Sequence, residues 1–213
     1  MRGYRLSIIR HGATEATEKG VYIGKTDYPL SENGKRELMD KLSLYEYPSV
    51  TRVYTSPLKR CVETAGILFP NAQIIGVDNL AEMDFGDFDG KSVDELVNRE
   101  DFKKWLKGGI DNAAPNGESL SELTGRSLEA IREIFADMME EGLFHCAAVT
   151  HSGVLANMLS CFGIPKNPPS EYSCGCGEGY DVMLTTQLWH QAQAFEILGM
   201  TPYVKDESRE NDE

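Results

Sequence analysis

Short β-branched runs alternate with stretches of helical period along this chain, and that alternation limits its fold more than any other feature. Residues 5–9 (RLSII), 51–55 (TRVYT), 73–77 (QIIGV) and 146–150 (CAAVT) read as strands. Ser31 is placed to cap a helix reaching about Tyr45. Ser56-Pro57 reads as an N-cap followed by proline at the first helical position, opening a helix to about Leu68. Residues 80–90 and 108–117 read as loops, and 94–106 as one or two short helices. Ser119-x-x-Glu122 is a capping-box pattern. It opens a long helix in which Leu123, Ile131, Ile134, Phe135 and Met138 fall at helical spacing. A further helix should run to about Phe162, and residues 163–178 are rich in proline and glycine. Residues 181–187 and 193–198 close the chain as two strands in a hairpin pattern. Strands alternating with helices predict an α/β fold, a three-layer αβα sandwich with a mainly parallel central sheet. One catalytic domain is expected over residues 1–200, with 84–117 as a helical and loop cap and an acidic tail at 201–213.

Charge narrows the partners. The 213 residues carry a formal net charge of −13. The last eight, DESRENDE, contribute −4, so the acidity is not only a tail effect. A polyanion or an anionic membrane would be repelled at long range, so neither nucleic acid nor membrane is expected as a partner. A small anion in a locally positive pocket remains compatible with that charge. The N-terminal apolar run is broken at Arg10, too short for a signal segment or a membrane span. A soluble, cytoplasmic protein is expected, and the five cysteines are read as reduced thiols. Cys174-Gly175-Cys176 lacks the second pair that a metal site would need.

In open parallel sheets, ligands sit beyond the carboxyl ends of the strands. Three polar groups fall there: Arg10-His11, the segment from Ser56 to Arg60, and His151. Glu82 follows the third strand in a loop. Two of only four histidines thus occupy equivalent strand ends, each followed closely by glycine. Gly12 and Gly153 would let the backbone approach a ligand. His145 and His190 lack this context and are read as structural or surface residues. Arg10 after an apolar strand is costly unless paired, and a bound anion would pair it. Arg60 lies near a helix N-terminus that favours anions, although beside Glu63 it also fits an ordinary exposed pattern. Asp84, Asp87 and Asp89 bring a divalent cation to mind, but their spacing matches no calcium loop. Two arginines and two histidines around one point suit a phosphoryl group. Guanidinium forks match phosphate oxygens, neutral imidazole can attack phosphorus, and a carboxylic acid of raised pKa can protonate a leaving alkoxide. Neither metal nor cofactor is required by that set.

RHG at Arg10 to Gly12, SPLKRCVETA at Ser56 to Ala65, LAEMDFGDFDG at Leu80 to Gly90 and VTHSGV at Val149 to Val154 resemble the motifs of the histidine phosphatase (phosphoglycerate-mutase-like) superfamily. The stretch from Tyr22 to Gly34 is also similar to that family. The resemblance implies that His11 becomes a phosphohistidine and that Arg10, Arg60 and His151 bind phosphoryl oxygens. It implies that Glu82 protonates the leaving group and then helps activate water. It extends the phosphate-binding set to Thr17, Gly24 and Ser152. EMDFGDFDG and the later PNGE at Pro115 to Glu118 resemble the bacterial α-ribazole phosphatase and broad-specificity branch. Ala13, Thr17, Phe88, Asp89 and Ser152 depart from the usual family residues, and residues 163–179 match poorly.

The expected activity is metal-independent hydrolysis of a small phosphomonoester, with α-ribazole 5′-phosphate as one candidate. A cofactor-dependent phosphoglycerate mutase and a non-catalytic phospho-ligand binder are the alternatives. Specificity is expected from residues 13–30, 84–117 and 163–179, which carry few extra cations and favour a nucleoside-like or sugar monophosphate over a polyphosphate. A homodimer through an edge strand or the apolar face near Trp189 is a further expectation.

Overall fold

The computed structural model describes residues 2–205. In chain order its elements are β1 (Gly3–Arg10), α1 (Glu15–Glu18), α2 (Glu32–Leu44), β2 (Tyr45–Glu46), β3 (Arg52–Thr55), α3 (Lys59–Leu68) and β4 (Gln73–Gly76). Next come α4 (Val93–Leu96), α5 (Glu100–Lys107), α6 (Leu120–Glu140), β5 (His145–Thr150), α7 (Ser152–Phe162) and β6 (Gly163–Ile164). The chain continues with β7 (Gly179–Thr185), α8 (Thr186–Ala192), β8 (Phe195–Thr201) and β9 (Tyr203–Val204). Seven strands form one sheet in the order β4-β3-β5-β1-β7-β8-β6. β7 lies antiparallel to both β1 and β8, and the other pairings are parallel. The mixed α/β architecture with a mostly parallel central sheet is therefore as expected.

Side-chain alternation along the central strands divides the core between two faces. Leu6 and Ile8 of β1, with Cys146 and Ala148 of β5, pack with Ile131, Ile134 and Phe135 of α6 and Leu155 and Met158 of α7. Ile9, Ala147, Val149 and Val53 pack on the opposite face with Leu38 of α2 and Cys61, Ala65 and Leu68 of α3. Both faces are thus buried under helices, which is why these strands read as nearly continuous apolar runs. The capping box at Ser119 and Glu122 opens α6 with both reciprocal bonds present. Between β4 and α6, residues 84–117 gather around a small separate core of Phe88, Leu96, Phe102 and Ala114, with Tyr22, Phe85 and Trp105 packed against it.

Three local expectations are corrected. Ser56 does not cap α3; that helix begins at Lys59, and Asp27 Oδ1 accepts the Lys59 N–H at 2.7 Å. Ser56 Oγ instead meets His151 Nε2 at 2.8 Å, so its oxygen serves the site. The two closing strands are present and pair antiparallel as β7 and β8, but the first ends at Thr185 and a helix stands between them. Thr185 accepts from Leu188 N and starts α8, which ends at Gln193 in a left-handed conformation (φ 47°). The C-terminal tail does not begin at residue 201. Thr201 is buried at the end of β8, and Tyr203–Val204 pair with Tyr45–Glu46. Residues 206–213 of that tail lie outside the described residues. Trp189 packs edge-on against Phe135 at 6.0 Å.

Candidate active site

The parallel ladder brings the strand ends into one place. Arg10 stands opposite Thr150, and Thr55 opposite Val149. Ladder-like bonds continue past the strands: His11 N donates to Thr150 O at 2.9 Å, and Ser56 N to Val149 O at 3.0 Å. These bonds fix three successive crossings of the chain side by side. Gly12 N donates to Thr64 Oγ1 at 2.9 Å, so α3 also holds the turn after β1.

His11 is buried, with 6% exposure. Its Nδ1 lies 2.6 Å from Gly12 O. A carbonyl only accepts, so Nδ1 carries the proton and Nε2 keeps its lone pair. Burial and the charges of Arg60 and Arg10 outweigh the Gly12 carbonyl and push the imidazole pKa down to about 3. His11 is therefore neutral across the physiological range, the form a nucleophile requires.

His151 stands edge to face with His11, ring centroids 5.1 Å apart. Arg60 Nε donates to His151 Nδ1 at 3.2 Å. Because a guanidinium has no acceptor, His151 must carry its proton on Nε2 and donate it to Ser56 Oγ. Burial, then His11 and Arg60, hold this imidazole well below its ordinary pKa. Arg60 is fully buried, which settles the exposed alternative against it. Its Nη1 and Nη2 donate to Thr26 O and Gly24 O, both at 2.9 Å. Asp89 secures the same loop by accepting from Gly24 N, Thr26 N and Thr26 Oγ1.

Arg10 is held by the CGCGEG segment. Its Nη1 donates to Cys174 O at 2.8 Å, its backbone N to Glu178 O, and its own carbonyl accepts from Gly177 N. Arg10 Nε is buried with no partner. An unpaired buried guanidinium N–H is costly, and an anion oxygen would satisfy it.

Glu82 is 7% exposed, and burial raises its pKa despite the N–H groups of Met83 and Gly153. Oε1 accepts from Met83 N at 2.8 Å and Oε2 from Gly153 N at 3.4 Å. A Cβ at Gly153 would lie 2.7 Å from Glu82 Oε1. A Cβ at Gly12 would lie 2.7 Å from Leu38 Cδ1. Gly12 therefore admits protein atoms where the sequence suggested ligand, whereas Gly153 both admits the Glu82 carboxyl and lines the cleft. Arg126 of α6 fixes the Glu82 loop, donating to the carbonyls of Asn79, Ala81 and Glu82 and pairing with Glu118. Thr150 Oγ1 adds a bond to Leu80 O.

Arg10, His11, Thr17, Glu82, Ser152 and Gly153 line one cleft of about 330 Å³, with Tyr22, Ile23 and Phe85 as its apolar wall. Arg60 and His151 stand behind it, fully buried. Gly24 faces Arg60 through its carbonyl and is not part of the cleft wall. Sequence reasoning assigned no site role to Ser56, Arg126, Tyr22 or Phe85. The serine beside Pro57 looked like a cap, Tyr22 and Phe85 fall inside quoted motifs but are apolar, and Arg126 lies far from every motif. The loop acids do not converge: Asp84 pairs with Lys25, Asp87 accepts from Asn116, and Asp89 binds the 24–26 loop. No group of three or more possible metal ligands occurs among the described residues.

A neutral buried imidazole, an unpaired guanidinium N–H and a buried carboxyl of raised pKa surround one cleft at the strand ends of an αβα sandwich. The profile of the histidine phosphatase superfamily (branch 1) matches residues 6–178. This chain belongs to that superfamily. It is 32% identical over 129 residues to the Bacillus subtilis "Uncharacterized phosphatase PhoE", a match covering 60% of this chain and 62% of that protein. It is 31% identical to the "Probable phosphoglycerate mutase GpmB" of Serratia proteamaculans, over 74% of each chain. The fold is shared with the alpha-ribazole phosphatase of Shigella flexneri (TM-score 0.75, 22% identity, 95% of this chain and 99% of that one).

Proposed function

We propose that this protein is a metal-independent phosphomonoesterase working through a phosphohistidine on His11. The carrying observation is the buried, neutral His11 whose Nδ1–H is committed to Gly12 O, leaving Nε2 as the nucleophile. A phosphate monoester entering the cleft meets the unpaired Arg10 Nε. His11 Nε2 bonds to phosphorus as the ester P–O bond breaks. Protonated Glu82 delivers its proton to the departing alkoxide. Its carboxylate then takes a proton from water, whose oxygen attacks phosphorus, breaks the P–N bond and releases inorganic phosphate. Gly12 O supports the positive charge that builds on the imidazole. Arg60 and His151 hold each other and the 24–26 loop behind the nucleophile. Binding of phosphoryl oxygens by either of them requires exchange of the bonds they now make.

The test is hydrolysis of p-nitrophenyl phosphate in EDTA, with an acid-labile phosphoenzyme that disappears in His11→Ala. Full activity in that variant overturns the reading. The mutase alternative shares the chemistry, but the cleft wall contains one cation, Arg10, and no lysine to hold a second phosphate. Turnover of phosphoglycerate only when 2,3-bisphosphoglycerate is present would favour it. The substrate is proposed to be a small monophosphate, and α-ribazole 5′-phosphate belongs in the panel with 3-phosphoglycerate. No helix of the described residues is long and apolar enough to cross a membrane. A cytoplasmic location is proposed on the five unpaired thiols.

A further inference from the structure

A second groove, of about 350 Å³, adjoins the catalytic cleft. Met83, Trp105, Leu106, Ile110 and Leu120 line it, with backbone from the 108–112 loop. None of these side chains is charged. The two spaces share a wall: Glu82 faces the cleft and its neighbour Met83 the groove. Trp105 packs edge-on to both cleft aromatics, at 6.2 Å from Phe85 and 6.0 Å from Tyr22. The groove is preformed, because Asn112 Nδ2 ties its loop to the carbonyls of Lys104 and Trp105 at 3.3 Å. Its rim is apolar yet open to solvent: Leu106 is 60%, Ile110 62% and Leu120 38% exposed. Isolated exposed leucines are ordinary, but three converging on one preformed concavity beside a reactive site are a binding feature.

We infer that this groove takes an apolar, ring-bearing portion of the substrate's alcohol, so that the preferred substrates are monophosphates of aromatic or otherwise apolar alcohols. The inference rests on the reading that Glu82 protonates the leaving oxygen, because that proton donor fixes which side of the phosphorus the alcohol occupies. The alcohol then lies on the Glu82–Met83 side and continues into the groove. A sugar would set most of its hydroxyls against Met83, Leu120 and Ile110, with only Asn112 and loop backbone as polar neighbours, and a second phosphate would find no cation. Small-molecule sites are commonly concave, mostly apolar and of about this size, roughly 300–1,000 Å³.

The test compares kcat/KM for 2-(1-naphthyl)ethyl phosphate and ethyl phosphate, which share an alkoxide leaving group. Native protein should prefer the naphthyl ester by about tenfold or more, a discrimination typical of apolar pockets. Ile110→Asp and Leu120→Asp place a charge on the rim at partly exposed positions. Each should lower that preference by about tenfold, with ethyl phosphate as the internal reference. Equal turnover of both esters by native protein, or an equal loss on both esters in the variants, overturns the inference. Calorimetric binding of 1-naphthylmethylphosphonate against methylphosphonate, neither of which is hydrolysed, separates the two readings. Tighter naphthyl binding without turnover of any ester leaves the groove standing and removes the hydrolase. Turnover with no discrimination in either measurement removes the groove and leaves the hydrolase. Loss of both removes both.

Discussion

At the scale of single residues, two protons decide the chemistry. In the proposed reaction His11 lacks one on Nε2, and Glu82 holds one when the alkoxide leaves. Burial supplies both conditions by disfavouring the charged form of each group. The rate with an alkyl phosphate should therefore decline on the alkaline side, as Glu82 ionises. Because burial raises its pKa, this decline should begin above the ordinary carboxyl range. Glu82→Gln should remove that limb and lower kcat by about 10²–10⁴, the usual contribution of a general acid. With p-nitrophenyl phosphate, whose leaving group needs no proton, phosphoenzyme formation in rapid-quench experiments should be far less affected. Ser56 is a second residue-scale case. Ser56→Ala leaves the buried His151 Nε2–H only Cys61 Sγ, a weak acceptor at 3.5 Å, at a cost of about 1–3 kcal/mol in urea unfolding. Arg10, His11 and His151 were legible in sequence as candidates because each stands at the end of an apolar strand. Ser56 was not, since a serine before proline has the same local signature whether it caps a helix or receives a histidine proton.

At the scale of elements, the carboxyl is set by a helix more than by its own loop. Arg126 reaches from α6 to three carbonyls of the Glu82 segment and to Glu118. Arg126→Ala should reduce kcat by about 10²-fold through misplacement of Glu82, with a smaller change in KM, read from steady-state kinetics. It should also lower stability, because Glu118 loses its partner. Gly153→Ala tests the opposite contact: its new methyl would lie 2.7 Å from Glu82 Oε1, so kcat should fall while the circular dichroism spectrum stays native. The sequence pattern marked α6 clearly through its capping box and helical spacing, but it said nothing of Arg126. A polar residue on a periodic helix reads as solvated surface until the loop it clamps is placed in space. The same reasoning explains α8, where Thr185 ends the expected strand two residues early and caps a helix.

At the scale of the whole molecule, the site is bought with acid stability. The unfolded chain binds protons at His11 and His151 near pH 6.5, whereas the folded chain resists them. Wherever the unfolded state holds more protons, stability rises with pH. Stability should thus fall as pH drops from about 6.5 toward about 3, the range set by His11. Glu82, shifted upward, works the other way: it loses stability as pH rises through and above its ordinary 4.5. His11→Ala should show a weaker pH dependence of the urea midpoint between about 3 and 6.5 than native protein, with Glu82 common to both. Identical slopes would contradict the assigned shift. By itself the sequence determined the α/β class, the sheet-buried strands and the strand-end residues, because burial period and strand-end polarity are local properties. Only the tertiary structure decided which nitrogen of each histidine bears the proton, which glycines face protein, and where an apolar groove adjoins Glu82. Those depend on which carbonyl, hydroxyl or guanidinium arrives from a distant element, and local pattern carries no record of that.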